Sequence, residues 1–202
     1  MRLIAILLFC GFAAVWSYSQ TPSSSPTPKH KTKVETKYDA HKNETELRVG
    51  PLELWKPPTI PASGELSFEK VELFVYFTHP GKKIITPTSV TLLVFSFSQW
   101  GAQLEKRPGI SISTDSANYN LGDVEIVSIN KGRVMTRISP PATDILTTEV
   151  VRKSLPFDDF AQIAQAKKAE IKLGDRKFKF TSEHFETFRN FVTLMKQQGL
   201  EF

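Results

Sequence analysis

Cysteine is all but missing from this 202-residue chain, whose one example is Cys10. A single thiol closes no internal disulfide, so stability has to come from an ordinary hydrophobic core. Histidine is also scarce. His30, His41, His79 and His184 share no helical face and no His-x-x-x-His spacing, so no local zinc motif exists. His79 reads as a loop residue and His184 as a solvent-facing polar residue at the start of the last helix. A glycine-rich phosphate loop is absent, and so is a Gly-x-Ser-x-Gly elbow.

Two Ser-x-x-Lys matches, Ser67/Lys70 and Ser128/Lys131, fall in strand patterns, whereas that pairing needs a helix turn to bring the side chains together. Asp158-Asp159 imitates a catalytic carboxylate pair. Adjacent helical residues point about 100° apart, however, and acidic groups at a helix start are stabilised by its dipole. The residues therefore assign no catalytic site, no metal site and no cofactor.

What the chain does have begins with Met1-Arg2, an apolar run from Leu3 to Trp16, and small residues Ser17 and Ser19 around Tyr18. This is the layout of a secretory signal peptide over 1–19, with cleavage after Ser19. The run is shorter than the ~20 residues that span a bilayer comfortably. Cys10 after Leu7-Leu8-Phe9 invites a lipid-anchored reading, but bulky Phe9 stands where a small residue is needed. Export to a periplasmic or extracellular space is the expectation, with a lipid-anchored or N-terminally tethered form as its alternative. Residues 20–37, rich in Pro, Ser, Thr and Lys, contain too little apolar surface to offset their ordering entropy and read as a disordered spacer. Residues 38–202 are the right length for a single β-rich domain. The formal charge of +5 falls to +4 once Arg2 is removed, a mildly basic balance that excludes little. Asn43-Glu44-Thr45 matches the N-glycosylation sequon.

Strands dominate the remainder. Glu65–Thr78 alternates through Leu66 and Phe68, then Val71, Leu73, Val75 and Phe77, and the slip in parity near Glu69-Lys70 indicates a β-bulge. His79-Pro80-Gly81-Lys82-Lys83 is a turn by composition. Thr88–Trp100 carries consecutive apolar residues, the pattern of a central strand covered on both faces. Ile110 and Ile112 mark a short strand. Val124–Ile129 and Arg133–Ile138 flank Asn130-Lys131-Gly132, predicting a hairpin that Pro140-Pro141 ends. Ile145–Leu155 is again strand-like. Ile171 and Leu173, Gly174-Asp175, then Phe178 and Phe180 describe a hairpin with one face in the core.

Two segments have helical spacing. Phe157, Phe160, Ile163 and Ala164 follow Pro156 in a short helix near 157–166. Thr181 or Ser182 caps a second helix near 182–197, with a stripe of Phe185, Phe188, Val192 and Met195 widened by Phe191 and Leu194, and with Gly199 as a stop. The fold class is α+β: a mostly antiparallel sheet or sandwich with the C-terminal helix packed on it.

Tyr76, Gly81, Pro87-x-Ser89-Val90-x-Leu92, Phe95-Ser96-x-Ser98-x-Trp100, Leu155-Pro156-Phe157-x-x-Phe160, Ala164, Glu170, Leu173-Gly174 and Phe178-x-Phe180 carry a likeness to known sequences. In these positions the chain resembles a loosely defined group of uncharacterised exported bacterial proteins with no assigned activity. The group's Asp-Gly turn is represented here by Asp115-Ser116. The resemblance implies a bacterial exported domain and implies no mechanism.

Two sets of residues are candidates for binding. From Lys167 to Lys179 there are six basic residues against two acidic ones, Glu170 and Asp175. Alternation puts Lys172, Lys177 and Lys179 opposite Phe178 and Phe180, and Arg176 is grouped with them as a basic face for acidic lipid, envelope polymer or nucleic acid. Lysines on exposed strands also protect sheet edges, and no aromatic residue interleaves them as stacking on nucleic acid requires. Trp55 and Trp100, each beside turn residues, are candidate sugar platforms or covers for the ends of the sheet. The functional expectation is an exported, non-enzymatic domain acting on an anionic envelope component or another envelope protein. An exported enzyme whose site assembles only in three dimensions, and a tethered structural component, are the alternatives.

Overall fold

The structure, a computed structural model, describes residues 34–56, 70–98, 101–102, 104, 108–135 and 143–197. The expected signal peptide, Cys10, the slip at Glu69-Lys70, Pro140-Pro141, Trp100 and Gly199 lie outside these residues. No described helix is long and apolar enough to cross a membrane.

The fold is mostly antiparallel β-sheet with two helices packed on the sheets, in the α+β class. One sheet has six strands in the order β1-β2-β3-β4-β8-β7. These are β1 (Val34–Asp39), β2 (Glu44–Trp55), β3 (Lys70–Pro80), β4 (Ser89–Ser98), β7 (Glu125–Met135) and β8 (Thr143–Pro156). The second sheet has four strands in the order β10-β9-β5-β6, from β5 (Gly109–Thr114), β6 (Asn118–Asp123), β9 (Ala169–Leu173) and β10 (Arg176–Lys179). The spacer expected through Lys37 ends earlier. Val34–Lys37 belongs to β1, where pairing with Arg48, Leu47 and Glu46 of β2 satisfies its backbone.

β4 is central, flanked by β3 and β8, as its apolar content predicts. Its burial nevertheless alternates. Val90, Leu92 and Val94 are buried on one face, and Leu93, Phe95 and Phe97 on the other are half-buried, so the expected two-sided cover is reduced to one fully covered face. The predicted hairpin at Asn130-Lys131-Gly132 does not form. Those residues run straight through β7 and pair with Thr148, Thr147 and Leu146 of β8, and Gly132 has no positive φ. A long partner strand that satisfies each backbone group in turn overrides the local turn preference of Asn and Gly.

His79 also departs from expectation: it lies in β3, opposite Thr45, and is 2 % exposed. Its ring stacks on Phe77 with centroids 5.4 Å apart. Nδ1 lies 3.0 Å from the Pro80 carbonyl, while Nε2 has no hydrogen-bond partner. The turn comes after it, at Gly81, whose N–H donates to the Asn43 carbonyl at 2.7 Å. Asn43 itself, the sequon asparagine, is exposed in the β1–β2 turn with a φ of 53°.

Helix α1 (Phe157–Gln165) buries Phe157, Phe160, Ile163 and Ala164, the four residues its spacing selects. Pro156 occupies the N-cap position, and the Phe157 N–H donates to the Thr88 carbonyl instead of to a capping side chain. Helix α2 (Ser182–Lys196) buries Phe185, Phe188, Phe191, Val192 and Met195. Phe188 meets Phe160 edge-on at 5.2 Å and Phe180 at 5.3 Å, so the two helices and β10 interlock through three rings. Burying a phenylalanine contributes about 2–3 kcal/mol, and an edge-to-face pair adds about 1. This interlock fixes the inner face of the small sheet and leaves the opposite face outward.

Candidate interaction face of the small sheet

β9 and β10 form a two-residue hairpin because Gly174 takes a φ of 59° that few other residues tolerate. Their alternation is strict: Ala169, Ile171, Leu173 and Phe178 are buried, and Lys172, Lys177 and Lys179 are exposed. β5 continues the pattern with Ile110 and Ile112 buried and Ser111 and Ser113 turned the other way. The register lines these residues up across all four strands. One row reads Lys177, Lys172, Ser111, Asn120, and the next reads Lys179, Glu170, Ser113, Asn118. Neighbours within a row are about 4.8 Å apart and the rows about 6.8 Å apart. The outer face is a polar grid with its charge at the β9–β10 end.

Like charges oppose each other directly at Lys172 and Lys177, an arrangement that costs stability in a strand pair. Lys177 is compensated by Glu170, with Nζ 3.2 Å from Oε1. Lys172 and Lys179 have no ion-pair partner among the described residues. A shallow trough of about 560 Å³ follows Ser111, Ser113, Asn118, Asn120 and Lys172, with Asp175 at its end. A second, of about 610 Å³, runs past Lys179 to Lys167 and Lys168, where the Lys167 N–H donates to Asp115 Oδ1 at 3.2 Å. Five lysines thus border two connected stretches of surface that also hold Asp115, Glu170 and Asp175.

Arg176 does not belong to this face. It stands two residues before Phe178 and shares its side of the strand. The guanidinium carbon lies 5.5 Å from the Phe178 ring centroid and 5.6 Å from that of Trp55. Trp55 is half-buried against the core where β2 meets β10. The structure therefore unites two residues that the sequence placed in separate patches, as a cation–π contact between the sheets.

His184 is likewise turned inward. At 7 % exposed it is not the solvent-facing residue expected. It completes a reciprocal cap: its N–H donates to Thr181 Oγ1, and its Nδ1 accepts from the Thr181 N–H, both at 3.3 Å. Burial holds its pKa below the ordinary value, outweighing Glu183 and Glu53, which act to raise it. On the other side of the small sheet, Tyr119 reaches Gln162 Oε1 of α1 at 3.1 Å, with its pKa raised by burial and then by Asp159.

The core face of the large sheet also carries polar residues that the motif search missed. Ser96 opposes Glu149 and Ser98 opposes Thr147, all four buried. Glu149, 1 % exposed, accepts from the Leu104 N–H at 2.6 Å and so anchors the connection between β4 and β5. Thr147 Oγ1 is buried without a hydrogen-bond partner. The signal was available in the alternation, which puts Ser96, Ser98 and Glu149 on the same face as Val94 and Val151. Among the described residues no three His, Cys, Asp or Glu side chains are grouped to hold a metal ion. Ser128 and Lys131 lie three apart on a strand and so point to opposite faces. No protein-family model, curated protein sequence or solved structure matches the chain.

Proposed function

We propose that this protein is an exported, non-enzymatic interaction module that holds an anionic envelope component on the outer face of its small sheet. The observation that carries this reading is the cross-strand opposition of Lys172 and Lys177 with Lys179 beside them, on a face devoid of large apolar side chains. Hydrophobic association has nothing to grip there, whereas a repeating or clustered anion would relieve the lysine repulsion and use the Ser and Asn hydrogen-bonding groups alongside. The signal-like N-terminus motivates the export part of the proposal, and recovery of the chain without residues 1–19 from an envelope fraction would test it.

Vesicles of phosphatidylglycerol in phosphatidylcholine are a direct probe of the face. A lysine near an anionic surface contributes about 1 kcal/mol, so charge reversal at Lys172, Lys177 and Lys179 together is expected to weaken binding by at least roughly a hundredfold. Added salt should weaken the wild type in the same direction. Binding that is unchanged by the triple reversal, with the melting temperature intact, would end this assignment.

A further inference from the structure

β7 is the outermost strand of the six-stranded sheet, bonded to β8 along one side from Glu125 to Met135. Among the described residues no strand pairs with its other side. With 11 residues it is the longest free edge, against 6 in β1, 6 in β6 and 4 in β10. It contains no proline to interrupt a ladder. Such an edge presents a row of unpaired N–H and C=O groups to any incoming strand.

Three features say what fits it. Ile126 opposes Val151 and Ser128 opposes Val150, so Val127 is the extra residue of a bulge. Val127 is also 48 % exposed, and only Ile85 joins it as an exposed large hydrophobic residue among those described. Charge is segregated along the strand, with Glu125 at its start and Lys131 and Arg133 in its second half. A parallel copy of the strand would set like charge against like. An antiparallel copy sets the acidic end against the basic end, twice by symmetry. Bulges and lysines also serve to deter edge pairing, but a deterrent has no need of an exposed valine or of self-complementary charge order.

We propose that β7 is a homodimer interface: a second copy of this chain adds its own β7 antiparallel across a two-fold axis, joining the two six-stranded sheets into one. Sedimentation of the full chain over a concentration series is expected to show a monomer–dimer equilibrium. Hydrogen exchange should show the 125–135 segment gaining protection as the dimer forms, with the β1 and β10 edges unchanged. Val127→Lys and Lys131→Glu change exposed side chains, and each is expected to weaken the dimer roughly tenfold, since each unfavourable cross-strand pair occurs twice. A chain that stays monomeric throughout the series overturns the proposal. So does a dimer in which 125–135 gains no protection, or one that both variants leave at wild-type strength while remaining folded.

Discussion

Replacing Gly50 with alanine should be among the most damaging small changes in the molecule. Gly50 sits in β2 where the pairing with β3 slips between Val49 and Leu52, and its φ is +129°, a conformation L-residues rarely adopt. A Cβ there would lie 2.6 Å from Phe74 Cδ1 and 2.9 Å from the Leu73 carbonyl oxygen. The phenylalanine ring could swing aside, at the expense of its edge contact with Phe95 at 5.1 Å, but the carbonyl belongs to a paired strand and cannot move without breaking the ladder. Backbone strain of this kind costs about 1–3 kcal/mol, and overpacking about the same again. The sum, roughly 4 kcal/mol, is a large part of the 5–15 kcal/mol that domains typically possess.

Urea unfolding is the suitable assay. With a slope of about 2 kcal/mol per molar, the midpoint should fall by about 2 M. Gly132→Ala is the matched control, because a Cβ there meets nothing within 4 Å and φ is not positive, so its midpoint should hardly move. Adding Phe74→Ala to Gly50→Ala should recover the steric part and leave the strain, giving a coupling of about 1–2 kcal/mol in a double-mutant cycle. A loss below about 1 kcal/mol for Gly50→Ala would show that the β2 irregularity is plastic, and would refute the claim that a rigid backbone contact requires glycine.

His184 and the aromatic interlock supply two further tests. The folded state depresses the His184 pKa, so stability from this group is fully present above its ordinary value of 6.5 and is lost as pH falls through the lower folded value. Protonation of Nδ1 would also remove the acceptor for the Thr181 N–H. His184→Gln retains an acceptor at that helix position without a titrating ring, so thermal melts from pH 7.5 down to pH 5 should show a shallower fall than wild type; equal slopes would disprove the assignment. Phe188→Ala removes a ring that is 1 % exposed and touches Phe160 and Phe180, and should cost about 3–5 kcal/mol in chemical denaturation. A loss under about 1.5 kcal/mol would mean that the helix pair repacks around the gap.

Much of the architecture is legible without coordinates. The stripe of Phe185, Phe188, Val192 and Met195 and the quartet Phe157, Phe160, Ile163 and Ala164 end up buried because a 3.6-residue repeat leaves a helix a single apolar side to bury. The β9–β10 hairpin is as plain, since alternation and a glycine turn are both local properties. Even the inward position of Arg176 was implied by its two-residue spacing from Phe178; counting charges without counting faces obscured it.

The rest depended on distant partners. Asn130-Lys131-Gly132 favours a turn locally, and only β8, lying alongside through Thr148, Thr147 and Leu146, keeps it extended. His79 and His184 look like surface residues until Thr45, Phe77 and Phe180 close over them or beside them. Local periodicity determined which residues of each element would be buried together. The tertiary structure decided which elements meet, and so set the Lys–Ser–Asn grid across four strands, the contact of Arg176 with Trp55, and the edge at β7. Periodicity is written into neighbouring residues, whereas strand order and register come from pairings between residues far apart in the chain.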